Sequence, residues 1–433
     1  MKRKIFAGIF MLCSLSLLAD YNPANNGSAS KMKTGNRNAS TTTDAPFYNP
    51  AGTVLGNDGF TFEFSTIPFF STKSVFDNGN FTATNIKYES RTSSLLYPAL
   101  NASYKKDRFS VFMFVGITNG GGAGDYNDGL PLFERLGYFN VMMGINAGTL
   151  PDPVTDYTVK TNFKGSAYGV GGWVGAAYRL TDWASASGAF VYSRQMNHQE
   201  GWLDITYNPS PSAVPIPRTE IDVDFTGQSF GFIGSLDIKP LPNLLIANTF
   251  RYFTEMVLKT KVNDNKSGGL FTDGDKLKST YVPTYNLGIA YDINEKLKLA
   301  YNMNVSFYSM LNLDKDLTGV DIADYYKNGI DFGLAAEYQV NDKVNWGLGF
   351  TYAPYKMKKE YQSEMEFENT SIWLNTGVGF KVKENLGIDL GFQLGLATEE
   401  RKLSISDQWI APFEQKLQNG ASYSMGIGVW YKF

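Results

Sequence analysis

The sequence predicts an all-β protein: a closed, 14-stranded antiparallel transmembrane β-barrel with an N-terminal segment folded into its lumen as a plug. Three observations carry that prediction. Apolar residues alternate with small or polar ones over runs of ten or more, long and tight connections alternate between those runs, and the last alternating run ends on Phe433.

The chain opens with Lys2, Arg3 and Lys4, an apolar run from Ile5 to Leu18, and Ala19. That layout predicts a secretory signal over residues 1–19, too short and wrongly flanked to be a spanning helix. A lipid anchor on Cys13 is the weaker alternative, because Leu12 before it is not small. Removal of the signal would take the formal net charge from −3 to −6 and remove the single cysteine. The mature chain then has no disulfide and no thiol chemistry. A mildly acidic chain without a basic tract excludes nucleic acid as a partner. Beyond residue 20 no window of eighteen residues is apolar throughout, so no further helical span is expected. Aromatic residues at 15% together with 43 glycines suit a barrel whose lipid face uses only every second position.

Alternation is clearest near the C-terminus. Leu386, Ile388, Leu390, Phe392, Leu394 and Leu396 share one face, with Gly387, Asp389, Gly391, Gln393 and Gly395 on the other. Soluble sandwiches alternate too, but over strands of about five or six residues; runs of ten or more are what a tilted strand needs to cross a bilayer. Fourteen such segments are predicted, at 58–70, 95–105, 108–119, 164–180, 183–207, 219–238, 243–262, 280–292, 296–311, 326–340, 343–357, 370–383, 386–400 and 419–433. The count is even, as in single-chain bacterial barrels. Long polar connections at 71–94, 120–163, 208–218, 263–279, 312–325, 358–369 and 401–418 alternate with short turns such as Thr181-Asp182 and Asn341-Asp342. Such sorting places long loops on one rim and short turns on the other. In the C-terminal strands Lys, Arg, Asp and Glu keep to the polar face, since a cation on the lipid face costs about 2–4 kcal/mol at the midplane.

Fourteen strands enclose a lumen too wide for the wall's own side chains to close. Residues 20–57, rich in Asn, Ser, Thr and Gly and lying just before the first strand, are the predicted plug, leaving 58–433 as the barrel. Within the plug, Asp44 to Gly52 reads Asp-Ala-Pro-Phe-Tyr-Asn-Pro-Ala-Gly. This stretch resembles the Asp-x-x-aromatic-aromatic-Asn-Pro-Ala-Gly motif that closes the N-terminal hatch of the FadL-like long-chain fatty acid and hydrocarbon transporter family. The resemblance implies an outer-membrane channel of a diderm bacterium that passes hydrophobic molecules from an extracellular groove to an inner pocket and out through the wall. It implies a hatch and gate built from Asp44, Asn49, Pro50, Ala51 and Gly52, lying by a kink in the third strand that Gly116, Gly120 and Gly121 would mark.

The third strand places Phe109, Val111, Met113, Val115 and Ile117 toward lipid and Phe112 and Phe114 inward, where later strands carry Asn, Gln, Asp or Lys. An oily inner wall suits an oily cargo, or packs on the plug. The long connection 120–163 gathers Leu132, Phe133, Leu136, Phe139, Met142 and Met143, more apolar residues than a water-facing loop needs. These are the expected ligand-binding groove, the alternative being a loop tucked onto the rim. For a carboxylate head group the candidate cation is Arg251, inward on the seventh strand; Lys298 and Lys381 are inward as well. Such cations also serve by pairing with inward Glu63, Glu255, Asp331, Glu337 or Asp389, or by pinning the plug.

An enzyme is not expected. The one histidine, His198, has no serine-containing motif to partner it, and no phosphate loop, metal-ligand spacing or calcium loop is present, so no cofactor is implied. Expected partners are a long-chain fatty acid or other hydrophobic small molecule, outer-membrane lipid, and the barrel assembly machinery reading the strand that ends at Phe433, with the protein a monomer. A porin-like barrel, or one displaying its loops as an adhesin, is the alternative.

Overall fold

The computed structural model describes residues 27–77, 87–127, 129–131, 157–207, 218–264, 271–316, 319–364, 366–398, 400–407 and 410–433. The expected signal at 1–19 lies outside the described residues.

Fourteen strands form one closed sheet. They are β1 (Gly59–Thr66 and Phe69–Asp77), β2 (Lys87–Ser94 and Pro98–Lys106), β3 (Phe109–Tyr126), β4 (Tyr157–Arg179), β5 (Ala184–Tyr207), β6 (Thr219–Leu241) and β7 (Leu244–Phe253 and Met256–Asp264). They continue as β8 (Lys276–Ser279 and Thr284–Asp292), β9 (Leu297–Ser306), β10 (Gly329–Asn341), β11 (Val344–Ala353), β12 (Ser371–Lys383), β13 (Leu386–Ala397 and Arg401–Asp407) and β14 (Ile410–Lys432). Each pairs antiparallel with the next, and β14 closes on β1, Thr61 to Thr66 running opposite Lys432 to Ile427. Closure removes every free edge, which a sheet inside hydrocarbon requires.

The expected fourteen strands are present, but several run further than their apolar pattern. Phe69–Asp77 pairs with Lys87–Ser94 where a loop over 71–94 was expected. Arg401–Asp407 pairs with the start of β14 inside the expected loop 401–418, and β3 and β4 extend into 120–163. The reason is physical. Beyond the hydrocarbon both faces of a strand meet water or other polar groups, so alternation loses its apolar half and the pattern falls silent while the hydrogen-bond ladder continues. The 23 residues of β4 span roughly 75 Å along the strand, far more than a bilayer crossing needs.

Within the bilayer band the faces sort as the alternation predicts. On β13, Leu390 and Phe392 point outward while Asp389 is buried inward; on β14, Met425, Ile427 and Val429 point outward. Inside lies the N-terminal segment. Helix α1 (Ala29–Thr34) begins at Ser28, whose Oγ accepts from the Lys31 amide, and stops at Gly35, whose φ of 71° suits the left-handed end of a helix. A one-turn helix α2 (Ala45–Tyr48) leads through Asn49 into a 3-10 turn, Pro50–Val54. Helix α1 packs on β11 to β14, α2 on β2 and β3, and the 3-10 turn mainly on β3 to β6, so the segment crosses the lumen from wall to wall.

Glycine makes room for it. A Cβ at Gly349 of β11 would stand 1.7 Å from the Thr34 carbonyl oxygen, one at Gly391 of β13 2.5 Å from the Lys33 amide nitrogen, and one at Gly426 of β14 2.9 Å from the Ala29 Cα. These are inward positions where a barrel filled by its own side chains would carry bulk. Gly349→Val should therefore leave the barrel able to assemble while expelling α1, and in planar bilayers its steady conductance should rise well above wild type; unchanged conductance would mean the segment does not block the lumen at this point.

Candidate functional site

The lumen has two unlike halves. On the side of β10 to β14 and β1, charge holds the N-terminal segment. The Arg37 guanidinium forks onto Asp44, Nη2 to Oδ1 at 2.7 Å and Nε to Oδ2 at 2.9 Å, and its Nη1 reaches Glu337 Oε1 of β10 at 3.1 Å. Lys33 Nζ lies 2.9 Å from Asp389 Oδ1 of β13 and 3.7 Å from Glu337 Oε2. Asp44 also accepts from Ser28 Oγ at 2.8 Å and Thr42 Oγ1 at 3.0 Å. Burial alone would raise the Asp44 pKa, but the Arg37 guanidinium and the Ser40 and Ser28 hydroxyls hold it down at about 2. On β1, buried Glu63 accepts from Thr43 Oγ1 of the segment and from Ser65 Oγ at 2.9 Å. Asn375 of β12 donates to the Met32 carbonyl at 3.0 Å, tying the helix backbone itself to the wall. A polar cavity of about 310 Å³, reached past Asp342 and Lys343 of a short turn, runs up to Lys33 and Arg37.

On the side of β2 to β8 the same segment meets an apolar wall. Phe47 packs edge-on against Phe114 at 4.6 Å and lies 5.1 Å from Trp173, whose indole N–H donates to the Pro46 carbonyl at 2.8 Å. Above them Val191, Ile233, Phe253, Met256 and Leu258 continue one buried apolar surface. Into it projects Arg251, 1% exposed, which donates through Nη2 to the Phe47 carbonyl and sits over the Phe47 and Trp173 rings at 5.0 and 5.5 Å. Its Nε and Nη1 have no hydrogen-bond partner among the described residues. Beneath, Asn49 Nδ2 donates to Asp237 Oδ2 of β6 at 2.8 Å and to the Ser40 carbonyl at 3.1 Å, while Ser185 Oγ of β5 donates to the Ala51 carbonyl at 3.1 Å.

Within the apolar half the β2–β3 ladder is interrupted. From Ile117 to Gly122, β3 pairs with β4 but not with β2, whose two segments pair with β3 only up to Gly116 and again from Ala123. The β3–β4 register shifts twice in the same stretch, and Gly120 takes a φ of 61°. Both β1 and β2 break alongside, at Ile67-Pro68 and at Leu95 to Tyr97. Met32 of α1, Ile67, Tyr97 and Ile117 meet in one apolar cluster behind the interruption, and the Tyr97 hydroxyl donates to the Gly120 carbonyl at 3.2 Å.

No protein-family model matches the sequence, and no curated protein does. Solved structures do match. The barrel is similar to a Pseudomonas aeruginosa FadL homologue, with a TM-score of 0.65 and 14% identity over 95% of this chain and 98% of that one. The fold is that of the FadL-type barrels. The P. putida toluene transporter TodX matches at a TM-score of 0.62 and 13% identity over 95% and 99% of the two chains. The Ralstonia pickettii toluene transporter TbuX matches at 0.60 and 16% over 95% and 100%.

In this FadL-type barrel Phe112 and Phe114 are buried and inward, and Phe114 packs on Phe47. Gly116, Gly120 and Gly121 fall at the start of the β3 interruption and within it. Asp44 is the hub of the charged half. Asn49 and Ala51 are held by Asp237 and Ser185, and Met32 of α1 lies behind the β3 interruption. Leu132, Phe133, Leu136, Phe139, Met142 and Met143 lie outside the described residues. Sequence reasoning missed Lys33 and Arg37, although with Lys31 they are the cations of residues 20–57 and face a wall of inward acids.

Asp44 gives a pH test. Its folded pKa lies below the ordinary carboxylate value near 4, so its contribution to docking is complete above about pH 4 and fades as the pH falls toward 2. Pepsin should spare the N-terminal segment at pH 4 and cut it progressively as the pH approaches 2, whereas Asp44→Asn should be cut at both; equal resistance of the two proteins would remove Asp44 from the anchor.

Proposed function

We propose that the protein is a passive outer-membrane channel for hydrophobic compounds, most notably long-chain fatty acids. The observation that carries this reading is the oily half of the lumen, sealed by Phe47 and Tyr48, where a porin would present a polar, water-filled bore. The solved barrels it resembles add support, two being described as toluene transporters and another as the CymD monoaromatic hydrocarbon channel.

In this reading residues 20–57 are the hatch and 58–433 the barrel. Cargo collects on the apolar residues of 132–143, passes to the wall formed by Phe112, Phe114 and Trp173, and leaves sideways where β3 and β2 part. A carboxylate head group is taken by Arg251, whose Nε and Nη1 have no acceptor among the described residues. The Asn49–Asp237 and Arg251–Phe47 contacts keep the hatch seated until cargo displaces them. The final strand, ending at Phe433, is the part read by the barrel assembly machinery, and the barrel works as a monomer.

Displacement of a fluorescent long-chain fatty acid from the refolded barrel in detergent tests the reading. Wild type should bind saturably and Phe112→Asp should not. Arg251→Gln should weaken fatty acid binding about tenfold relative to wild type, as loss of a charge-assisted hydrogen bond predicts, while leaving the methyl ester's affinity unchanged. Absence of saturable binding together with steady ion conductance in Asn49→Ala and wild type alike would replace the channel for apolar cargo with an open porin.

A further inference from the structure

The outside of the wall changes character where β7 and β8 leave the apolar band. Met256, Leu258 and Leu277 turn inward onto the apolar half of the lumen. The alternate positions therefore face outward: Val257, Lys259 and Lys261 along β7, Lys278 and Lys276 along β8. All four lysines are exposed. The apolar band stops in the same way on the two preceding strands. Tyr192 of β5 and Phe230 of β6 stand 5.5 Å apart, and the next outward residues are Arg194 and Gln228, opposite each other in the ladder. Aromatic rings at the edge of an apolar band mark the level of lipid headgroups, and the long connection joining β7 to β8 belongs to the extracellular rim.

The lysines are arranged against their own interest. Lys259 lies directly opposite Lys276, and Lys278 follows on the same face, opposite Val257. Like charges facing each other across a ladder destabilise it. None of Lys259, Lys276, Lys278 and Arg194 has an ion-pair partner among the described residues. The acids nearby are engaged elsewhere. Asp224, opposite Lys261, lies 2.8 Å from His198 Nδ1 and accepts from Asn263 Nδ2 at 2.9 Å. Asp314 accepts from the Lys278 backbone amide at 2.7 Å, and Asp273 from the Val262 amide at 3.0 Å. An anion between the opposed ammonium groups would turn their repulsion into attraction.

Depth selects the anion. The lysines open sideways toward lipid, not into the lumen, and Val257, 41% exposed, stands one outward position below Lys259 to meet acyl chains. A free anion would use the cations alone, whereas a phosphorylated lipid uses the cations and the apolar wall beneath them. We infer that Lys259, Lys276 and Lys278, with Arg194 extending the cationic edge two strands away, dock the phosphorylated headgroup of an outer-leaflet lipid. Their stems lie along the wall and their ammonium groups converge on phosphate oxygens. The site is on the outside of the barrel, so the inference is independent of the proposed cargo.

The test titrates the refolded full-length barrel in dodecyl maltoside with diphosphoryl lipid A and counts bound lipid by native mass spectrometry. Wild type should bind saturably, and Lys259→Gln/Lys276→Gln should bind about 25-fold more weakly, roughly fivefold for each charge removed beside an anionic headgroup. Lys106→Gln/Lys296→Gln, which removes two exposed charges at the short-turn rim, should bind as wild type does. Without lipid, the Lys259→Gln/Lys276→Gln barrel should unfold at no lower temperature than wild type, since it has lost a repulsion, and this reports that it is folded. Equal binding by wild type and Lys259→Gln/Lys276→Gln overturns the site, as does an equal loss in the short-turn variant. Equal binding of the same lipid stripped of its phosphates, or its displacement by an equal concentration of inorganic phosphate, overturns the phosphorylated lipid as occupant.

Discussion

The ion pairs that Lys33 and Arg37 make with Asp389, Glu337 and Asp44 are the contacts on which the seating of the N-terminal segment depends. Buried charges are costly to take from water, and their attraction offsets that cost only when geometry and extra hydrogen bonds are good. Here the Arg37 fork on Asp44 is reinforced by hydroxyls from Ser28, Ser40 and Thr42, and Lys33 by Asn345. Removing one partner would leave the other buried alone, a loss of about 3–5 kcal/mol in comparable pairs. Inward glycines of β11, β13 and β14 then let the backbone come close enough for the pairs to form, so composition of the wall and charge of the segment specify each other.

The opposite half is held by softer means. Aromatic packing of Phe47, Phe114 and Trp173 tolerates rearrangement, and the polar contacts there, uncharged but for Asp237 and Arg251, include Asn49 to Asp237, Ser185 to Ala51, Trp173 to Pro46, Arg251 to Phe47, Asn101 to Gly27 and Asn38 to Leu287. A segment clamped by charge on one side and seated on an apolar surface on the other has a fixed end and an adjustable end. The adjustable end is the one that packs on the apolar wall, so changes there need not disturb the clamp.

The architecture was legible wherever the bilayer imposes it. Leu390, Phe392, Met425, Ile427 and Val429 announce their strands because lipid demands an apolar residue at every second position. The outer extensions, such as Lys87–Ser94 and Arg401–Asp407, carry no such demand and read as loops. The inward placement of Phe112 and Phe114 followed from register alone, and the glycines from Gly116 to Gly122 marked where β3 leaves its partner. The clamp was not legible, because pairing Lys33 with Asp389 joins residues 356 apart and only the closed wall brings them together.

The parting of β2 and β3 also sets how deeply the barrel can sit. Backbone amides and carbonyls without ladder partners are expensive in hydrocarbon and inexpensive among hydrated headgroups. From Phe109 to Gly116 a tilted strand climbs roughly 20 Å, against an apolar band about 25 Å tall. Ile117 to Gly122 therefore stand at the outer boundary of the band. The broken ladder acts as a draught line: a barrel sunk further would bring bare peptide into oil, and one riding higher would lift Val111, Met113 and Val115 into water.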